Sequence, residues 1–283
     1  MSLEGFIFLE VLFKIQNMKK FYITTAIDYV NGSPHLGHCL EKVQADTIAR
    51  FERLRGRDVF FLTGTDENAQ KNIIAAKKAG KQIKQFIDEN AKNFILLCEK
   101  LNISNDDFIR TTEQRHEKVA QKIFEILNEK GLIYKGLYEG LYCPGCEAFK
   151  TEKELENGKC PLHPNLDLQF IKEETYFFKL SEFKDKILEA LEKNFILPVS
   201  RKKEVLNRRK EGLKDLCVSR KNLEWGIKVP FDESQTIYVW IDALLNYLSG
   251  IGYLYEPEIF EKYWPPDVQL IGKDIMRFHH IIW

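Results

Sequence analysis

Apolar and polar positions change period several times along the chain, and each change marks an element. Phe21–Ala26, FYITTA, is apolar and β-branched and predicts a buried parallel strand. Residues 28–32 follow as a loop, Ser33 is placed to cap a helix, and Pro34 fits its first position. From Leu36 on, Leu40, Val43, Ile48, Phe51 and Leu54 keep the helical spacing that marks one apolar face. RGRD ends that helix, with Gly56 available as a left-handed cap. Val59–Gly64, VFFLTG, is a second buried-strand pattern, so residues 21–64 read as a βαβ unit, which is right-handed almost without exception.

Helical spacing returns at Ile83, Phe86, Ile87, Phe94, Leu97, Cys98 and Leu101, and again at Val119, Ile123, Ile126 and Leu127 before Gly131. Residues 132–164 break the pattern with short runs, glycines, prolines and paired cysteines. Phe183–Leu191 and the basic run RKKEVLNRRK are helix-like, and Thr236–Trp240 and Val268–Gly272 again read as buried strands. The predicted fold is α/β: a Rossmann-like parallel sheet split by an insertion and resuming near residue 235. Its boundaries are 18–130 for the first half of the sheet domain, 131–230 for the insertion and 231–283 for the second half. Residues 1–17, ahead of Met18, read as a leader or tag-like segment. The apolar run up to Trp283 has no stop signal and reads as truncation within a domain.

Composition narrows the class. Lysine plus arginine and aspartate plus glutamate both number 42 among 283 residues, so no global field favours nucleic acid. The apolar stretch GFIFLEVLF is interrupted by Glu10, too short to span a bilayer, and lacks the flanks of a signal peptide. A cytoplasmic protein without a membrane partner is the default. Arg201–Lys210 suits either an RNA backbone or a solvated helix face.

Four metal-type ligands stand at a specific spacing. Cys143, Cys146, Cys160 and His163 form CxxC-x13-CxxH, two knuckles able to complete one closed tetrahedral zinc site of structural type. Free thiols or a disulfide are the alternative. Cys39, Cys98 and Cys217 read as small buried hydrophobes.

SPHLGH, Ser33–His38, places two histidines three residues apart at a helix start behind a predicted strand. The first turn of a helix carries unpaired N–H groups and partial positive charge, and open parallel sheets bind ligands at this loop. His35 and His38 would offer imidazole donors to phosphates, and Gly37 would let a flat group approach. Two ordinary helix histidines remain the bland reading of this spacing.

HLGH resembles the HIGH signature of class I aminoacyl-tRNA synthetases. ITTAIDYVNGSPHLGH, ADTIARFERLRGRDVFFLTGTDE, YVWIDALLNY and LIGKDIMRFHHIIW are together similar to the methionyl-tRNA synthetase family, in the family's order, from Phe21 to Trp283. The resemblance implies formation of methionyl-adenylate from methionine and ATP with Mg2+, then transfer to the acceptor end of tRNA(Met). It implies phosphate and adenine contacts for His35, Gly37 and His38, ribose contacts for Glu41, Gly272 and Asp274, and phosphate reach for Lys273. Arg220 matches an arginine that approaches the reaction site, and would join His35 and His38 as a catalytic group. The methionine pocket would comprise Ile27, Tyr29, Trp240, Ala243, Tyr247, Ile275 and His279, with Asp66 on the ammonium group. Trp240, Ala243 and Tyr247 also fit plain core spacing, and Asp66 also fits a helix cap. The family's insertion carries one or two zinc knuckles, and this chain has ligands for one.

The chain departs from the family at GTDENAQKN, where Asn68 and Ala69 stand in place of the usual histidine and glycine. The second signature, KMSKS, does not occur, from which impaired adenylate formation by this chain is expected. Other class I synthetases, for leucine, valine or cysteine, and a methionine-binding module without catalysis are the rival readings.

Overall fold

The computed structural model describes residues 19–283 apart from 194–195, 199, 203–212 and 222. Residues 1–17 and most of the basic run lie outside the described residues. The predicted first strand is β1, Lys20–Thr25, five of its six residues buried. Residues 28–32, expected as a loop, begin with a two-residue strand, β2, Asp28–Tyr29. Helix α1 covers Leu36–Leu54, and β3 covers Asp58–Asp66. β3 runs parallel to β1, with Tyr22 opposite Phe60, and β2 continues the same flank with Tyr29 opposite Asp66. Gly56 closes α1 in the left-handed region, φ 78°, as the sequence predicts.

After β3 come α2, Gln70–Lys78, and α3, Ile83–Lys100. β4, Asp107–Arg110, pairs parallel with the other flank of β3 and leads into α4, Gln114–Glu129. The insertion opens with β5, Ile133–Cys143, and β6, Ala148–Lys150. β7, Gln169–Phe178, returns antiparallel along β5, and α5 follows at Lys184–Lys193. β8, Leu216–Cys217, edges that sheet. β9, Ser219–Lys221, β10, Lys228–Val229, and β11, Asp232–Ile237, form a separate antiparallel sheet. Three short helices follow: α6, Val239–Leu244, α7, Asn246–Ser249, and α8, Pro257–Tyr263. β12, Val268–Leu270, then pairs parallel with β1 on the flank opposite β3.

Two expectations give way here. The parallel sheet resumes at Val268, not near residue 235, because the backbone of β11 is taken by β9 and β10 and the chain turns helical at Val239. The apolar stripe of α1 largely does not face the core. Leu36 is 85% and Leu54 88% exposed, and Leu40, Val43 and Phe51 are exposed too. Ala45 and Ala49 lie on the sheet against Phe21, Ile23, Val59 and Phe61, with Ile48 beside them. Small side chains let the helix axis approach the strands, and the larger residues then point outward.

Candidate active site

A cavity of about 1530 Å³ opens where the carboxyl ends of β1 and β3 meet the start of α1. Its lining includes His35, Gly37, His38, Glu41, Gly272, Lys273 and Asp274, the nucleotide set named from the sequence. It also includes Ile27, Tyr29, Asp66, Trp240, Ala243, Tyr247, Ile275 and His279, the amino-acid set. Arg220 is not among the lining residues. It is buried on β9, pairs with Glu173 at 2.6 Å and lies over the Tyr142 ring at 4.5 Å.

The helix mouth differs from the expected cap. His35, not Ser33, is the N-cap, with extended backbone, and Leu36 rather than Pro34 is the first helical residue. His35 Nδ1 accepts from the Gly37 N–H and His38 Nδ1 accepts from the His35 N–H, both at 3.1 Å. The rings stack at 3.7 Å. A Cβ on Gly37 would lie 2.9 Å from the His35 ring, so the glycine makes room for the chain's own imidazole. With both Nδ1 atoms accepting, the remaining hydrogen sits on Nε2 of each ring.

Beneath them lies a buried charge cluster. Lys42, fully buried on α1, contacts Asp28 Oδ2 at 2.7 Å, Glu41 Oε2 at 3.4 Å and Thr25 Oγ1 at 3.3 Å. The Asp28 contact is an ion pair that lacks good hydrogen-bond direction, since Asp28 Oδ2 has no well-aligned donor. Burial opposes the Lys42 charge, but Asp28 and Glu41 outweigh it and raise the ammonium's pKa. Burial pushes Glu41 up to about 7, with Lys42 pulling down and Asp28 pushing up. His38 Nε2 is 3.7 Å from Asp28 Oδ1, yet burial lowers its pKa and favours the neutral ring.

The amino-acid end is aromatic. Trp240 stacks on Phe278 at 3.6 Å and meets Tyr29 edge-on at 6.3 Å. His279 Nδ1 donates to the Ile275 carbonyl at 3.1 Å, which leaves Nε2 to accept from the Tyr247 hydroxyl at 2.7 Å. Burial lowers the His279 pKa to about 4. Asp66 is buried with Oδ1 unpartnered. Burial first, then Asp242, raise its pKa well above the usual carboxylate range while Lys71 pulls it down, so the carboxyl favours its neutral form until a further cation is placed beside it. Lys71 Nζ sits 3.6 Å over the Tyr29 ring, a cation–π contact on the same wall.

The four knuckle ligands converge as the spacing predicts, their ligand atoms all within 4.8 Å of one another. Cys146 Sγ lies 3.5 Å from Cys160 Sγ and 3.3 Å from His163 Nδ1, and Cys143 Sγ is 3.8 Å from His163 Nδ1. A tetrahedron with zinc–sulfur bonds of about 2.3 Å has corners roughly 3.8 Å apart, so the set fits that ion. A Cβ on Gly145 would strike the His163 ring at 2.5 Å, so the glycine keeps the fourth ligand in place. The knuckle abuts the cavity: Trp240 Nε1 faces the Cys146 carbonyl at 3.5 Å, and Glu147 accepts from the Lys71 N–H at 2.6 Å and the Tyr142 hydroxyl at 2.5 Å.

A helix mouth at the carboxyl ends of a parallel sheet, an aromatic pocket beside it and a knuckle-bearing insertion thus lie against one another. The family model for tRNA synthetases class I (M) matches residues 21–167 and 163–283, and the chain belongs to that family. It is 51% identical over 268 residues to the methionine–tRNA ligase of Caldanaerobacter subterraneus subsp. tengcongensis, covering 94% of this chain and 42% of the relative. It is 50% identical over 266 residues to that of Rickettsia conorii, covering 93% and 52%. The chain thus spans about half the length of these relatives or less. Among solved structures it matches Mycobacterium tuberculosis methionyl-tRNA synthetase in complex with methionyl-adenylate at TM-score 0.90 and 41% identity, covering 94% of this chain and 53% of that one. The free form of that enzyme gives TM-score 0.79 at 39% identity, covering 94% and 52%.

The sequence reading missed Asp28 and Lys42. A lysine at a helical position pointing back toward the strand is the available signal, but residues 28–32 carry no strand pattern that would place Asp28 beside it. It also missed Asn246, buried at the cavity wall with its Oδ1 unpartnered.

Proposed function

We propose that this chain carries the methionine-activating site of a methionine–tRNA ligase. The observation that carries the reading is the buried, unpartnered Asp66 oxygen in a cavity shared by an aromatic pocket and the His35–His38 mouth. Asp66 takes the substrate ammonium, and Tyr29, Trp240, Ala243, Tyr247, Ile275 and His279 enclose the thioether, where sulfur packs well against rings. One methionine carboxylate oxygen attacks the α-phosphorus of ATP, a P–O bond forms, and the bond to pyrophosphate breaks with the electron pair leaving on it. No side chain becomes a nucleophile; the contribution is positioning and electrostatics. His35 and His38 present Nε2–H donors to the phosphates, Glu41, Gly272 and Asp274 hold the ribose, and Lys273 reaches a phosphate. Mg2+ accompanies ATP. In the ligase the methionyl group then passes to the acceptor end of tRNA(Met), in the cytoplasm.

Cys143, Cys146, Cys160 and His163 hold one zinc ion, whose contribution is to order a loop region with little core of its own. In this reading, 18–130 and 231–283 are the two parts of the catalytic domain and 131–230 is the connective insertion. Arg220 is the arginine that approaches the reaction site in this reading; it is held by Glu173 outside the cavity lining, with Nη1 buried and without a hydrogen-bond partner.

Calorimetric titration with methionine, leucine, valine and cysteine tests the proposal. Methionine alone should bind, and Asp66→Asn should weaken it by roughly 1.5–3 kcal/mol, the worth of a hydrogen bond to a charged group. Binding of another amino acid in preference, or methionine affinity unchanged in the variant, would refute it. Amino-acid-dependent ATP–pyrophosphate exchange by the full-length protein, specific for methionine, tests the activity itself.

A further inference from the structure

One buried network lies outside the machinery described so far. His116, on α4, is fully buried and does not line the cavity. Its Nε2 is 2.6 Å from Asp242 Oδ1 and its Nδ1 is 2.7 Å from Ser249 Oγ. A carboxylate only accepts, so Nε2 carries a hydrogen toward Asp242. The other carboxylate oxygen, Asp242 Oδ2, receives Asn68 Nδ2 at 2.8 Å, and the same amide nitrogen reaches the Thr111 carbonyl at 3.2 Å. Both oxygens of a fully buried carboxylate are therefore satisfied, from different elements.

The placement of Asp242 gives the network its meaning. It lies on α6 between Trp240 and Ala243, both in the cavity wall. Asn68 lies two residues after Asp66. The network thus ties the end of β3, which carries Asp66, to the helix that carries the pocket's aromatic wall. α6 has only six residues, too few to hold its own shape without tertiary contacts. Asp242 is also a source of repulsion for Asp66, second only to burial. Donors from Asn68 and His116 engage the Asp242 carboxylate and leave Asp66 as the carboxylate without a donor on Oδ1, open to a substrate ammonium.

We propose that His116, acting through Asp242, is a positioning residue for the amino-acid pocket, holding Trp240 and Ala243 at a fixed distance from Asp66. This rests on the reading of that pocket as the amino-acid site. Asn68 fills the second place on Asp242.

Three variants test it: His116→Leu, which keeps bulk but removes both ring nitrogens; His116→Gln, whose amide can still donate to Asp242; and Ser249→Ala, which removes only the outer anchor. The readouts are methionine affinity, affinity for a non-hydrolysable ATP analogue, and hydrogen exchange of residues 239–247. His116→Leu should weaken methionine at least tenfold, leave the nucleotide within threefold, and speed exchange in 239–247. His116→Gln should restore methionine to within threefold of the parent. Equal losses for both ligands, or a His116→Leu protein that binds methionine within threefold of the parent, would overturn the proposal. If His116→Leu does not fold, Ser249→Ala decides: a threefold or greater loss confined to methionine supports it, and no change overturns it. If the parent protein binds no methionine, the amino-acid reading falls by itself. The exchange data then decide the positioning: acceleration confined to 239–247 supports it, and uniform or absent acceleration overturns it.

Discussion

The knuckle and the cavity gather their functional groups in opposite ways. Four knuckle ligands come from residues 143–163, and their own spacing brings them together. The cavity draws on residues from Ala26 to His280, assembled by a parallel sheet and the helices packed on it. The knuckle has little apolar core to lean on, so in the reading proposed above a metal ion would supply its order. The cavity has its order from packing and can afford buried, under-satisfied groups such as Asp66. A site held by local spacing is readable from a short motif; a site held by topology is readable only once the fold is known.

Metal removal should separate the two regions most strongly. Chelation, or Cys160→Ser, should cost the knuckle on the order of 10 kcal/mol of local ordering. Hydrogen exchange in 143–163 should rise sharply and bound zinc should fall from one per chain toward none, while exchange in β1 and β3 stays slow. Next in size is Lys42→Met. Removing one partner of a buried ion pair costs about 3–5 kcal/mol, because Asp28 is left charged without compensation. Urea unfolding should register that loss, and zinc content should not change.

Acid should act on the cavity through His279. Its folded pKa, about 4, lies below the ordinary 6.5 because the ring is buried neutral. Between those values the unfolded chain binds the proton and the folded chain does not. The contribution to stability is whole above about pH 6.5 and is lost as pH falls through that window. His279→Gln should flatten the stability-versus-pH curve from 6.5 to 4 relative to the parent. The smallest effect belongs to the outer face of α1. Leu54→Ser should stay within about 0.5 kcal/mol in urea unfolding, since the side chain is 88% exposed. A large loss there would mean that this face is covered in solution.

Where the sequence reading succeeded, the physics was local or the resemblance was dense. β1, α1 and β3 follow from period alone, and the convergence of Cys143, Cys146, Cys160 and His163 follows from knuckle spacing. The pocket residues Trp240, Ala243 and Tyr247 came from resemblance, because their spacing equally suits a core helix. Failures have separate causes. β5 and β7 form a long antiparallel pair whose residues are mostly exposed or half-buried, and Gly136 and Gly140 interrupt any alternating pattern in β5. Leu40 and Phe51 suggested a buried face on α1, but close packing on a sheet favoured Ala45 and Ala49. The Asp28–Lys42 pair and the His116 network each join elements distant in sequence or misread as loop, and no periodicity announces them.

The reciprocal capping of His35 and His38 has a consequence for inorganic chemistry at the mouth. Each ring has committed its Nδ1 lone pair to a backbone amide, and each Nε2 bears a hydrogen. Neither imidazole has a basic electron pair left to coordinate an ion. In the proposed reading, a divalent cation escorting a triphosphate into this cleft would travel on phosphate oxygens and water, since the two imidazoles offer it no lone pair.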